Sequence, residues 1–129
     1  MAMNRTDVQA WLDRYVEAWR SHDQAAVEAL FADHAEYRYQ PWAEPVKGRD
    51  AIVKDWLNPK TRDVPGTWTA HYEPYAVDDE RAVAIGETSY FEDASQAKLS
   101  RHYWNIWTME FDGDGRCTRF VEYFMQRKT

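Results

Sequence analysis

The stretch LSRHYWNIWTMEFDGDGRCTRFVEYFMQ, residues 99–126, decides how this chain folds. Two runs rich in aromatic and β-branched residues flank Asp112-Gly113-Asp114-Gly115, whose composition is that of a turn. The stretch therefore reads as a hairpin of two long strands, about Leu99 to Phe111 and Arg116 to Gln126. Closing it over the turn pairs Tyr103 with Phe124, Asn105 with Glu122, Trp107 with Phe120 and Glu110 with Cys117. One face then carries Tyr103, Asn105, Trp107 and Met109 beside Phe124, Glu122, Phe120 and Thr118. The other carries His102, Trp104, Ile106 and Thr108 beside Met125, Tyr123, Val121 and Arg119. Both faces hold large apolar groups, so both must be covered. Helices of the same chain can cover one. The simplest cover for the other is a second copy of the chain, a homodimer through Trp104, Ile106, Val121, Tyr123 and Met125.

Working backward from the hairpin, the pattern stays strand-like to about Thr67, with further strands at about Thr67 to Val77 and Arg81 to Phe91. Before Thr67 the period changes to that of helices. Thr6 with Gln9 is a capping-box pattern, and Val8, Trp11, Leu12, Tyr15 and Trp19 follow at helical spacing, which predicts a helix from about Asp7 to Arg20. Asp23 can cap a second helix with Val27, Leu30 and Phe31 along one stripe. Ala35 to Trp42 reads as a first strand, and Gly48 precedes a third helix whose Ile52, Val53, Trp56 and Leu57 stop before Pro59. Helices first and consecutive strands afterwards predict an α+β fold with an antiparallel sheet packed on three N-terminal helices.

The length of 129 residues fits a single domain spanning 1–129, and 44% hydrophobic residues suffice for a core without a staple. The lone cysteine, Cys117, cannot form an internal disulfide and reads as an inert buried residue. A net charge of −6 with scattered basic residues argues against nucleic acid as a partner. The polar start Met1-Ala2-Met3-Asn4-Arg5 has the character of neither a secretion signal nor a membrane span, so the expected setting is the cytoplasm, away from membranes. Seven Trp, eight Tyr and five Phe are many for a small domain. Such an excess favours a ligand cavity, since flat ligands favour rings where ordinary cores favour aliphatics.

Four stretches, in this order, carry a resemblance: Tyr15-Val16-Glu17-Ala18-Trp19 through Asp23, Leu30-Phe31-Ala32-Asp33-His34-Ala35, Gly48-Arg49-Asp50-Ala51-Ile52, and Phe111 to Arg116. With the order of helices and strands, they resemble the nuclear transport factor 2-like superfamily and its SnoaL-like, or polyketide-cyclase-like, branch. The resemblance implies a cone-shaped, strongly curved sheet around an inner cavity. It does not fix the chemistry, because that fold hosts isomerases, cyclases, dehydratases, epoxide hydrolases and binding proteins. The superfamily's steroid isomerases use a tyrosine on the first helix, an aspartate base after the second and another acid in the penultimate strand. The tyrosine position falls on Tyr15. The other two fall on Tyr39 and Trp107, which argues against steroid isomerase chemistry but puts both residues inside the cone.

Glu122 is the leading catalytic candidate, because a carboxylate ringed by Tyr103, Trp107, Phe120 and Phe124 should be pushed toward the pKa of an acid/base catalyst. The alternative is a structural anchor that accepts hydrogen bonds from Tyr15, Asn105 or an arginine. Tyr15 can donate to a developing oxyanion or simply pack, and Asn105 can serve Glu122 in either role. Tyr39, Trp56, His71, Tyr103, Trp107, Phe120 and Phe124 are the expected ligand-binding residues. His22, His34, His71 and His102 lack metal-ligand spacing, so neither a metal nor any other cofactor is expected. The expected function is binding of a small, largely apolar, aromatic or polycyclic molecule, with cofactor-independent isomerase, cyclase or dehydratase chemistry. A non-catalytic ligand-binding or protein-interaction module is the alternative.

Overall fold

The computed structural model describes residues 2–128; Met1 and Thr129 lie outside them. Helix α1 spans Arg5–Ser21. It starts two residues before the expected Asp7, because Asn4 rather than Thr6 is its cap: the Asn4 side chain accepts from the Asp7 amide at 2.8 Å and Asp7 accepts from the Asn4 amide at 3.0 Å. Val8, Trp11, Leu12, Tyr15 and Ala18 form its buried stripe. Asp23 caps α2, Gln24–Glu28, through the Ala26 amide at 3.0 Å. The expected second stripe does not extend to Phe31. There the chain is already in β1, Phe31–Arg38, because its backbone pairs with Cys117 far along the chain, and this pairing overrides local helical spacing. The strand ends at Arg38 rather than Trp42, since residues 40–43 turn, with the Ala43 amide donating to the Gln40 carbonyl at 3.1 Å.

A two-residue strand, β2 at Val46–Lys47, pairs with β1 and was too short to show in the sequence pattern. Gly48 follows at φ 91°, a conformation that favours glycine, and its amide donates to the Ala35 carbonyl at 2.8 Å. That turn launches α3, Arg49–Trp56. The remaining strands are β3 (Trp68–Asp78), β4 (Arg81–Phe91), β5 (Leu99–Phe111) and β6 (Cys117–Gln126), all close to the sequence reading.

The six strands form one curved, unclosed sheet in the order β2-β1-β6-β5-β4-β3. Neighbours are antiparallel except β1 and β6, which run parallel, the long connection between them passing through β2, α3 and β3 to β5. Register shifts interrupt the β1/β6, β3/β4, β4/β5 and β5/β6 ladders, and such bulges bend and twist strands into a cone. Pro74 is tolerated in β3 because β3 is an edge strand.

The final hairpin follows a register two residues away from the expected one. Asn105 pairs with Phe124, Trp107 with Glu122, Met109 with Phe120, and Glu110 with Arg119 rather than Cys117. The cause is local. Asp112 accepts the Arg116 amide through its side chain, widening the turn so that Phe111 pairs with Cys117, and Thr118 is then the extra residue of a bulge. An even shift keeps every residue on its expected face.

The core lies between α1 and the concave side of the sheet. Trp11 is fully buried, donates from its indole to the Leu30 carbonyl at 3.1 Å, and meets Phe31 and Phe111 edge-on. On the sheet, Tyr72 stacks on Trp107 with centroids 3.7 Å apart. Gly86, on the strand between theirs, is paired with Tyr72 and Asn105 and lies under the Tyr72 ring. A Cβ there would sit 2.2 Å from the His71 carbonyl oxygen and 2.3 Å from the Tyr72 ring. Gly86→Ala should therefore destabilise the fold by about 2 kcal/mol or more, as overpacking in a close-packed core does, read as a lower urea midpoint at unchanged m-value.

Cys117 is fully buried, and burial pushes its thiol pKa well up. It should stay unmodified by an aromatic disulfide reagent in the native protein and react stoichiometrically in urea.

Candidate functional site

A cavity of about 500 Å³ opens on the concave side of the sheet. Its deep end is built by alternate residues of four neighbouring strands: Tyr72 of β3, Thr88 of β4, Asn105 and Trp107 of β5, and Glu122 of β6. The helices and the first strand supply the opposite wall, with Tyr15 and Trp19 from α1, Tyr37 from β1 and Trp56 from α3.

Glu122 is held by one oxygen. The Asn105 amide donates to Oε2 at 3.1 Å, and the Trp107 indole N–H donates to the same atom. Oε1 accepts no hydrogen bond among the described residues. Behind Asn105 the bonds continue in one direction. Thr88 donates its hydroxyl to Asn105 Oδ1 at 3.1 Å, which uses its only proton, so Tyr72 must be the donor to Thr88 across their 2.5 Å contact. The row Tyr72, Thr88, Asn105 thus points its donors toward the carboxylate from three strands. Burial lifts the Glu122 pKa to about 7, and the donors from Trp107 and Asn105 hold it from rising further.

Facing this carboxylate is a pair of buried phenols. Tyr15 and Tyr37 share a hydrogen bond of 2.5 Å, and both rings stack on Phe120. Burial raises the pKa of both, and the Glu122 charge raises them further, so both phenols stay neutral. Two hydroxyls in contact use one proton between them. The second is available to an oxygen placed in the cavity.

The structure brings together Glu122, Tyr15, Asn105, Tyr39, Trp56, Tyr103, Trp107 and Phe124, all of which line the cavity. Tyr15 bonds Tyr37 rather than Glu122, so the anchor expected from Tyr15 is absent, whereas that from Asn105 is present. Two expectations are corrected. His71 is exposed on the convex side, because the inward positions of β3 are Trp68, Ala70 and Tyr72, and Tyr72 takes the place given to the histidine. Phe120 is fully buried beneath Tyr15 and Tyr37 and lies behind the cavity wall. The sequence reading missed Tyr37, Tyr72, Thr88, Tyr90, Asp55, Arg62 and Arg101. A signal for Tyr72 existed in the alternation of apolar Trp68, Ala70, Tyr72 and Pro74 with polar Thr69, His71 and Glu73. Among the described residues no three His, Cys, Asp or Glu side chains are grouped to hold a metal ion.

The convex side carries Trp104 at 55%, Ile106 at 46%, Tyr123 at 40% and Met125 at 73% exposure, around a groove of about 500 Å³. Val121, expected among them, is buried instead, flanked by its ladder partners Arg38 and Thr108 on both neighbouring strands. No helix among the described residues is long and apolar enough to cross a membrane.

The fold has counterparts among solved structures. An LEH-like epoxide hydrolase from M. tuberculosis matches with a TM-score of 0.65 at 15% identity, over 94% of this chain and 84% of that one. A ketosteroid isomerase-like protein from Kribbella flavida DSM 17836 matches at 0.70 and 13% identity, over 97% and 82%. A protein from Sphaerobacter thermophilus matches at 0.65 and 20% identity, over 92% and 94%. At such identities the likeness is one of fold. No curated protein matches the sequence. The family model for the SnoaL-like domain does match, over residues 12–120, and with the curved α+β sheet around an inner cavity it makes this chain a member of the SnoaL-like family of the nuclear transport factor 2-like superfamily.

Proposed function

We propose that the cavity binds a small, largely apolar, aromatic or polycyclic molecule and that Glu122 moves a proton on it without a cofactor, in an isomerase, cyclase or dehydratase-type reaction. The observation that carries this reading is the asymmetry of Glu122, a residue of the cavity lining whose Oε2 is held by two N–H donors while Oε1 accepts no hydrogen bond among the described residues. A carboxyl group with a pKa of about 7 is half protonated near neutrality, so it can give a proton or take one. Trp107 and Asn105 fix which oxygen reacts, and as positioning residues they favour the ionised form. The spare proton of the Tyr15–Tyr37 pair stabilises negative charge developing on a ligand oxygen. The rings of Trp56, Tyr72, Tyr103 and Phe124 supply flat apolar walls, in keeping with ligand sites that are mostly apolar with a few directed polar groups.

Glu122→Gln keeps the shape and removes the proton transfer. With a substrate found by thermal-shift screening of aromatic and polycyclic compounds, turnover should fall by about two to four orders of magnitude while affinity stays within about tenfold. A non-catalytic binding module predicts unchanged affinity with no turnover in either protein. A structural anchor predicts lost stability instead. The same variant tests the raised pKa without any ligand. Below the usual carboxylate pKa both folded and unfolded chains hold the proton. As the pH rises toward 7 the unfolded chain ionises first, so the native protein loses up to about 3 kcal/mol of stability relative to the untitratable variant, a loss complete above about pH 7. Urea denaturation of both proteins at pH 4.5 and pH 8 reads the difference.

The exposed Trp104, Ile106, Tyr123 and Met125 support a second proposal, that two copies associate through their convex faces. Trp104→Glu, an exposed change, should leave the fold intact and shift the mass measured by light scattering at micromolar concentration from dimer to monomer. A monomer mass for the unaltered chain would overturn the proposal.

A further inference from the structure

The mouth of the cavity differs chemically from its floor. On the inner face of β5, Arg101, Tyr103, Asn105 and Trp107 follow at alternate positions, from exposed rim to buried floor. At about 3.3 Å per residue the Arg101 backbone stands about 13 Å from that of Asn105, whose amide holds Glu122. The Arg101 guanidinium lies 4.4 Å from the centre of the Tyr90 ring, and its Nη1 donates to the Tyr103 hydroxyl at 3.2 Å. Arg62, from the segment joining α3 to β3, lines the same cavity.

Besides Glu122, two carboxylates share this lining with the arginines, and both are engaged by the wall. Asp63 accepts from the Trp19 indole at 2.8 Å, and Asp55 accepts from the Tyr39 hydroxyl. Neither Arg62 nor Arg101 forms an ion pair with a carboxylate among the described residues. His22 completes the lining, its pKa held below the ordinary value by burial and by the neighbouring Arg62, against the pull of Asp63. The cavity thus presents two guanidiniums with donors to spare, which in a chain of net charge −6 is an arrangement that bulk electrostatics does not require.

The geometry points to a ligand that carries a carboxylate at its outer end, received by Arg62 and Arg101, with its flat body among the rings and its far end at Oε1 of Glu122. This rests on the reading of the cavity as a ligand site. Orientation follows from charge: a carboxylate at the deep end would face Glu122, whereas at the mouth it meets planar guanidinium forks that match its two oxygens. Asp55 and Asp63 offset the positive charge in the lining as a whole, so the preference is a moderate one that rests on the unpaired donors of the two guanidiniums. The span from rim to floor suits a bicyclic or tricyclic arene acid.

Three naphthalene probes of one size separate the possibilities: naphthalene-2-acetate, the neutral naphthalene-2-acetamide and the cationic 2-naphthylmethylammonium, titrated by tryptophan fluorescence at pH 8 and low salt. The acetate should bind about tenfold more tightly than the acetamide, in line with a charge-assisted pair, and the gap should shrink as salt is added. In the double variant Arg62→Gln, Arg101→Gln the acetate should fall to the level of the acetamide, whose own affinity stays unchanged. Equal binding of all three probes, or tightest binding of the cation, overturns the carboxylate proposal and leaves the cavity as a ligand site. A preference for acetate that survives in the double variant also overturns it, since the charge is then read elsewhere. Failure of all three, together with failure of neutral polycyclic compounds in the thermal-shift screen, overturns the underlying reading of the cavity.

Discussion

The inner face of this sheet is organised by the stack of Tyr72 on Trp107. Two large rings can lie 3.7 Å apart across the width of three strands because the strand between them places a residue with no side chain, Gly86, at the crossing. The stack does three things at once. It closes the sheet side of the cavity, it turns the Trp107 N–H toward Glu122, and it sends the Tyr72 hydroxyl into the row that ends at Asn105. The other wall is built the same way, with Tyr15 and Tyr37 both stacked on Phe120.

The electrostatics of Glu122 is a balance between removal of water and supply of donors. Aromatic walls take water from the carboxylate and favour its neutral form, while two N–H groups on one oxygen favour the ion. Neither influence dominates, and the pKa settles near 7 rather than at the extremes that burial alone or full solvation would produce. Placing both donors on the same oxygen leaves the other without a hydrogen bond among the described residues, so the balance is reached without consuming both oxygens of the carboxylate.

Much of this was legible in the sequence because period and parity are robust to small errors. The last four strands lie within a residue or so of the positions read from alternation, and the face that holds Asn105, Trp107 and Glu122 follows from counting alone. The failures share a cause, which is distant pairing. Phe31 reads as helical until Cys117, eighty-odd positions later, recruits it into a strand. His71 drew attention as a titratable side chain, yet the alternation around it places Tyr72 inward. Arg62 and Arg101 escaped notice because residues at a rim are polar and exposed like any surface, and only the curvature of the sheet makes them neighbours of the cavity.

The hairpin that positions Glu122 contains two irregularities of one residue each, the widened turn after Phe111 and the bulge at Thr118. Either alone would turn β6 inside out, sending the carboxylate to the convex side and Tyr123 into the cavity. Together they cancel. The turn and the bulge therefore act as one unit in placing Glu122, although neither contributes a residue to the lining of the cavity.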